Sequence, residues 1–186
     1  MEALYWHYLY SFCYNTAMFN FCPNCGAQVK NSAKSGFQCT SCHKTCYYNS
    51  KPTVGIIPFC KDKILVSVRG IEPDKGFLDT VGGFLTYGEE PLDGAVREFK
   101  EETGLVIEKL KLKFLDIVMG NYMFEGTFHS TLNIVYLISF SEETVLPPQD
   151  DVAELVWMSI QDSFPENKMN EYMKKVVELL RSSRLV

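Results

Sequence analysis

Gly83-x5-Glu89-x7-Arg97-Glu98-Phe99-Lys100-Glu101-Glu102-Thr103-Gly104-Leu105 gathers carboxylates and an arginine around one segment of helical character. Pro91 suits a first helical turn, where its missing N–H costs nothing, and Gly104 suits the left-handed position after a last turn. The spacing therefore predicts a helix over 91–103. Glu98 and Glu102 are i and i+4, and Glu101 is i+3 from Glu98, so the three project from one side and can converge on the same ions. Glu89 and Glu90 fit the positive end of the helix dipole, whereas the acids at the other end oppose it and call for cations. Magnesium suits such a set, because it takes few carboxylates and completes its shell with water and phosphate oxygens. The competing reading is a solvated acidic face. It explains the charges but not their fixed distances from two glycines and an arginine, nor the apolar side offered by Ala95, Val96 and Phe99.

Every defined position of this stretch matches the Nudix box, G-x5-E-x7-R-E-U-x-E-E-x-G-U with U apolar. The chain thus resembles the Nudix hydrolases, which cleave a nucleoside diphosphate linked to another moiety and use magnesium or manganese. The resemblance implies an α/β fold, an α/β/α sandwich with a mixed sheet. It also implies metal-binding roles for Glu98, Glu101 and Glu102, with Glu89 and Arg97 as supports that orient acidic partners. The family's proton acceptor varies, which leaves Glu101 and Glu102 as alternatives here.

Cys22-Pro23-Asn24-Cys25 and Cys39-Thr40-Ser41-Cys42 form two CxxC pairs separated by thirteen residues. Four thiolates so spaced can close a tetrahedral structural zinc site. A redox CxxC would leave one pair idle, and disulfides fit poorly with the lack of a secretory signal. His43 and Cys46 lie nearby in sequence and read as bystanders; Cys13 and Cys60 carry no motif. From Ala3 to Lys61 there is no acid, while Lys30, Lys34, Lys44 and Lys51 are present and no arginine precedes Arg69. Zinc with four thiolates offsets part of that basic excess, and no aromatic and arginine pattern of RNA binding appears, which argues against a nucleic-acid partner. Covering a sheet edge or building a homodimer interface are the roles left to the ribbon. Ribbon and box together resemble the zinc-ribbon NADH pyrophosphatases and a less defined group of ribbon-bearing Nudix hydrolases. The likeness runs from about Phe21 to Leu105 and includes the junction Tyr47-Tyr48-Asn49-Ser50-Lys51-Pro52.

Departures bear on the substrate. The S-Q-P-W-P-F-P-x-S signature of NADH pyrophosphatases is missing after the box, where Asn121-x-Tyr122-x-Phe124-x-Gly126 instead resembles the less defined group. Tyr122 and Phe124 either stack on a substrate ring or alternate into a sheet core. Val81 stands where many Nudix enzymes have proline, a change that softens a turn without removing chemistry. In Asp150-Asp151-Val152-Ala153-Glu154-Leu155-Val156-Trp157, the offset from Trp157 resembles the segment that contributes a late acid to the metal site. Asp151 matches best and Glu154 next; an ordinary acidic turn after Pro147-Pro148 is the alternative. Arg69, at the end of an apolar run, is a candidate contact for phosphate or substrate, with a solvated surface arginine as the alternative.

The 186 residues are 46% hydrophobic and 22% charged with net charge −5, which suits one full core and a small module. The excess of acids after Asp62 means that phosphate binding depends on metal ions and local arginines, not on a basic field. Residues 1–20 are aromatic, with no basic start, no clean apolar run and no cleavage site, so neither a signal peptide nor a membrane span is expected there. They read as an extension, with Met18 the expected natural start, followed by a zinc ribbon over 21–50 and a hydrolase domain over 51–186. Strands are expected at 54–59, 64–69, 110–120, 132–140 and 155–159, and a closing helix over about 165–181 with Met169, Tyr172 or Met173, Val176 and Leu180 along its buried stripe. The expectation is a cytoplasmic, metal-dependent hydrolase acting on a small-molecule nucleotide of NAD(H) or ADP-ribose type. A nucleotide-sanitising enzyme of the 8-oxo-dGTP type and a non-catalytic nucleotide-sensing or RNA-binding module are the alternatives.

Overall fold

The computed structural model describes residues 19–29, 35–124, 127–162 and 164–183, and the side chains of Phe124, Thr127 and Phe128 fall outside that description. Of the expected extension only Phe19 and Asn20 are described; Met18 is not. Contacts divide the chain into two compact units, Met1–Asn49 and Ser50–Val186.

In the first unit, β1 (Gly36–Gln38) and β2 (Thr45–Tyr47) pair antiparallel with Phe37 opposite Cys46. Each CxxC segment closes as a knuckle. Gly26 N donates to Cys22 O and Cys22 N to Ala27 O, while His43 N donates to Cys39 O and Cys39 N to Lys44 O. Gly26 and His43 occupy the same left-handed corner of the two knuckles, at φ 71° and 58°. Buried Phe37, Cys22 and Cys39 form a small core against which Tyr48 packs.

The second unit is built on a six-stranded mixed sheet. β3 (Lys51–Cys60) and β4 (Lys63–Arg69) turn tightly at Lys61 and pair only at Phe59↔Ile64 and Cys60↔Lys63 before they splay. The gap is filled by the segment that follows. β5 (Leu78–Asp79) pairs with the far end of β4, and Val81 and Phe84 bridge to Ile56 and Thr53 of β3. Helix α1 (Pro91–Thr103) comes next, then β6 (Lys113–Phe124) and β7 (Thr127–Ser139), an antiparallel pair whose β7 runs parallel to β3. β8 (Val152–Ser159) lies along β4, and α2 (Glu171–Ser183) closes the unit.

Alternation along the central strands explains the two covered faces. Val54 and Ile56 of β3 and Leu65 of β4 pack with Ala95 and Phe99 of α1. Ile57, Ile64 and Val66 point the other way, onto Met173, Val176 and Leu180 of α2. Strands buried on both sides read as continuous apolar runs, as β3 does. The layering is thus the expected α/β/α arrangement.

Two expectations need correction. The closing helix begins at Glu171, not near 165, because the Asn170 Oδ1 accepts from Met173 N at 2.9 Å and caps it there. Glu166–Lys168 is a separate 3-10 turn, and Met169, though buried, bridges Leu78 outside the helix. Strand ends also shift: β3 extends back to Lys51–Thr53 because the parallel ladder with β7 carries polar residues past the core, while β6 begins at Lys113 and not at 110 because Lys109–Lys111 forms a 3-10 turn.

Phe99 is fully buried in the α1 layer. Phe99→Ala is expected to lower the unfolding free energy by about 3–5 kcal/mol in urea denaturation, the usual cost of truncating a core aromatic.

Candidate active site

Helix α1 has the predicted limits. Pro91 opens it, and Gly104 ends it in the left-handed conformation, its N–H donating to Lys100 O at 2.8 Å. Glu98 and Glu102 lie on its buried side, while the Glu101 side chain is 48% exposed. Arg97 joins these acids to the preceding loop. Its Nε and Nη2 each bond a Glu89 oxygen at 2.8 Å, and Nη1 bonds Glu98 Oε1 at 2.6 Å and Glu101 Oε2 at 2.9 Å. Nη2 also donates to the Phe84 carbonyl at 3.1 Å. Glu89 is therefore placed by Arg97 and by the Thr86 N–H, not by the helix dipole; the Arg97 bonds hold its carboxyl down at about 2.

Glycines set how near this helix comes to the sheet. Gly82, at φ 149°, lies so close to Val54 O that any Cβ would collide with it. A Cβ on Gly83 would meet Glu98 Oε2 at 2.7 Å. The Gly82 N–H donates to Glu102 Oε2 at 3.2 Å. Val81, in the place of the usual proline, is wholly buried, and its carbonyl accepts from Ile56 N, so the turn keeps its seat in the sheet.

Among the described residues no arginine pairs with Glu102. Burial comes first, then the negative field of Asp151, in pushing its carboxyl up to about 9; burial also raises Glu98. Asp151 follows the Pro147–Pro148 loop, and its carbonyl accepts from Gly70 N at 2.6 Å. Glu154 instead stands exposed on β8, opposite Val68.

Beside this acidic side runs a small open cleft whose lining includes Arg69, Asp79, Gly82, Gly83, Phe84 and Tyr122. Tyr122 meets Phe84 edge to face, with centroids 5.5 Å apart, and the Arg69 guanidinium lies 5.7 Å from the Tyr122 ring centre. Phe124's side chain is outside the described residues. Sequence reading missed Asp79, Thr80, Asn133 and Tyr172, which complete the wall and floor. Tyr172 bonds Thr80 Oγ1 at 3.0 Å, and Asn133 accepts from Thr53 Oγ1 at 2.5 Å. The one signal for Asp79 was an acid just ahead of the glycine pair.

Both metal sets can be tested against these positions. Sulfurs of Cys22, Cys25, Cys39 and Cys42 all lie within 4.8 Å of one another, with Cys22 to Cys42 at 3.8 Å and Cys25 to Cys39 at 3.7 Å. A tetrahedron with zinc–sulfur bonds of about 2.3 Å has edges of about 3.8 Å, so the cluster fits. His43 and Cys46 are not in it, and the six described cysteines are free thiols. Among the described residues the Nudix-box carboxylates do not form an equally closed set. Their fit rests on donor chemistry: hard oxygen ligands, partly buried and short of cations.

A sequence model of the NUDIX domain matches residues 49–180. The chain belongs to the Nudix family. It is similar to the NAD-capped RNA hydrolase NudC of Vibrio parahaemolyticus, with 21% identity over 88% of this chain and 60% of that protein. The chain therefore spans less than two thirds of the length of this curated relative. Among solved structures, a NUDIX hydrolase from Nitrosomonas europaea superposes with a TM-score of 0.59 at 22% identity, covering 86% of this chain and 91% of that one. A bifunctional NMN adenylyltransferase/ADP ribose pyrophosphatase from Francisella tularensis gives 0.57 at 23%, covering 73% of this chain and 42% of that one. These likenesses support the Nudix fold described above.

Because the folded Glu102 value of about 9 lies above the unfolded carboxylate value, the fold keeps a proton that the unfolded chain releases, and stability falls as pH rises between the two values. The penalty is absent below the unfolded value of about 4.3. In chelator-treated protein, Glu102→Gln is expected to melt above wild type at pH 8 and level with it at pH 4. Added magnesium should raise the melting temperature of wild type and not that of the variant.

Proposed function

We propose that this chain is a metal-dependent pyrophosphohydrolase that cleaves the pyrophosphate link of a nucleoside diphosphate joined to a second moiety, of the NAD(H) or ADP-ribose type. The observation that carries the reading is the buried pair Glu98 and Glu102, locked to Gly82, Gly83 and Arg97 at the edge of a cleft. The relatives' names, NAD-capped RNA hydrolase and ADP ribose pyrophosphatase, point to the substrate class.

Glu98, Glu101, Glu102 and Asp151 are the residues that would hold magnesium or manganese. When bound, the metal sets positive charge against the pyrophosphate oxygens and makes water a better nucleophile. The protein's own groups do the remainder. Arg97 fixes the spacing of Glu98 and Glu101, and Glu89 fixes Arg97. Glu101, facing solvent, and Glu102, at the Gly82 N–H, are the carboxylates placed to take the proton of the attacking water. Arg69 and Tyr122 contact the substrate in the cleft.

Zinc in the cysteine cluster is structural in this reading, since all four positions of the tetrahedron are filled by sulfur. No helix among the described residues is long and apolar enough to cross a membrane.

Magnesium-dependent product release is to be measured across NADH, NAD, ADP-ribose, diadenosine polyphosphates, FAD and 8-oxo-dGTP. Turnover is expected on NADH, NAD or ADP-ribose, and Glu98→Gln should reduce it by orders of magnitude; preference for 8-oxo-dGTP would move the chain to the sanitising class, and silence across the panel would refute the enzyme. For the ribbon, elemental analysis is expected to find about one zinc per chain. Cys22→Ser should lose that zinc and unfold at a lower temperature, whereas unchanged zinc content would remove the tetrathiolate assignment.

A further inference from the structure

We propose that Asp79 is a positioning residue: it acts through Arg69, aiming the guanidinium at a phosphate oxygen of the substrate. The inference rests on the hydrolase reading above. Arg69 ends β4, and its side chain is 14% exposed where it lines the cleft. At the back of the fork, Nε donates to the Pro73 carbonyl at 3.0 Å. Nη1 lies 3.7 Å from Asp79 Oδ2, and Nη2 lies 3.6 Å from Asp151 Oδ2. Those distances suit charge attraction and are too long for hydrogen bonds. Among the described residues the guanidinium is thus held by one hydrogen bond, two charges and the face of Tyr122, and its Nη hydrogens make no hydrogen bond. An arginine fork presents paired donors that match the oxygens of a phosphate. Arg69 is also the one basic side chain among the described residues lining the cleft.

Asp79 is the better anchored of the two brackets. It sits on β5 opposite Ser67, and its Oδ1 accepts from the Thr80 N–H at 2.8 Å, which directs Oδ2 toward Arg69. Asp151 lies on the turn at the start of β8 and has a second claimant in the proposed metal set. When a cation draws on Asp151, Asp79 is the charge that continues to hold Arg69 in the wall. Without it, the long side chain regains rotamer freedom that substrate binding must then remove.

The test is a double-mutant cycle of Asp79→Asn and Arg69→Gln on the panel substrate that the wild type turns over fastest, with melting temperatures recorded. Asparagine keeps the acceptor for Thr80 N–H and removes the charge. Asp79→Asn is expected to raise KM about tenfold with a much smaller change in kcat, and to add less than about twofold once Arg69 is glutamine. Asp79→Glu, which restores the charge, should recover part of the lost KM. Additive effects, or a fall in kcat with a higher magnesium requirement in both backgrounds, would overturn the inference while leaving the hydrolase intact. Absence of turnover by wild type on every panel member would overturn the hydrolase reading, and this inference with it.

Discussion

One guanidinium holds the acidic side of this protein together. Arg97 bonds Glu89 through two oxygens and reaches Glu98, Glu101 and the Phe84 carbonyl from the same side chain. Without such a centre, acids at i, i+3 and i+4 would repel and turn outward to water. With it, the loop from Phe84 to Glu89 is fastened to the helix, and Glu98 can remain buried. Lysine could not reproduce the arrangement, since the contact uses the planar fork against a carboxylate and a carbonyl together. The helix is thereby not only seated on the sheet by Ala95 and Phe99 but fixed in rotation, which decides which carboxylates face the cleft.

That rotation matters because of what lies opposite. β3 and β4 separate after two residue pairs, and the segment from Leu78 to Phe84 enters between them. Glycine at 82 lets the backbone touch Val54, and glycine at 83 leaves room for the Glu98 carboxylate. A side chain at either place would push the helix away from the sheet. The same segment carries Asp79 and Thr80 to the cleft, so one stretch of chain builds both the acidic edge and part of the cleft wall.

The sequence makes some of this plain and hides the rest for physical reasons. Pro91 and Gly104 act locally on backbone geometry, so the limits of α1 could be read residue by residue. The cysteine knuckles were legible for the same reason, since metal-ligand spacing is a local constraint. Asp151 was singled out only through its offset from Trp157, a residue whose indole donates to Thr144 O and so pins the same loop. The cleft is another matter. Thr53, Asn133 and Tyr172 come from three distant elements and carry no motif, because their meaning arises from strand register. Asn170 shows how local polarity can override periodicity: apolar spacing suggested an earlier helix start, and a single cap set the real one.

Charge is divided unequally among these groups, and the inequality has a direction. Arg97 bonds Glu89, Glu98 and Glu101 and Arg69 stands between Asp79 and Asp151, which among the described residues leaves the Glu102 side chain with the Gly82 N–H. A fold selected for stability alone would place an amide or an apolar group there, because a buried carboxylate without a counter-ion is costly. Retaining it is understandable if the missing positive charge arrives from outside, as a divalent ion does in this family. A cation held there would relieve a penalty already built into the fold, beside carboxylates that Arg97 and Arg69 already engage.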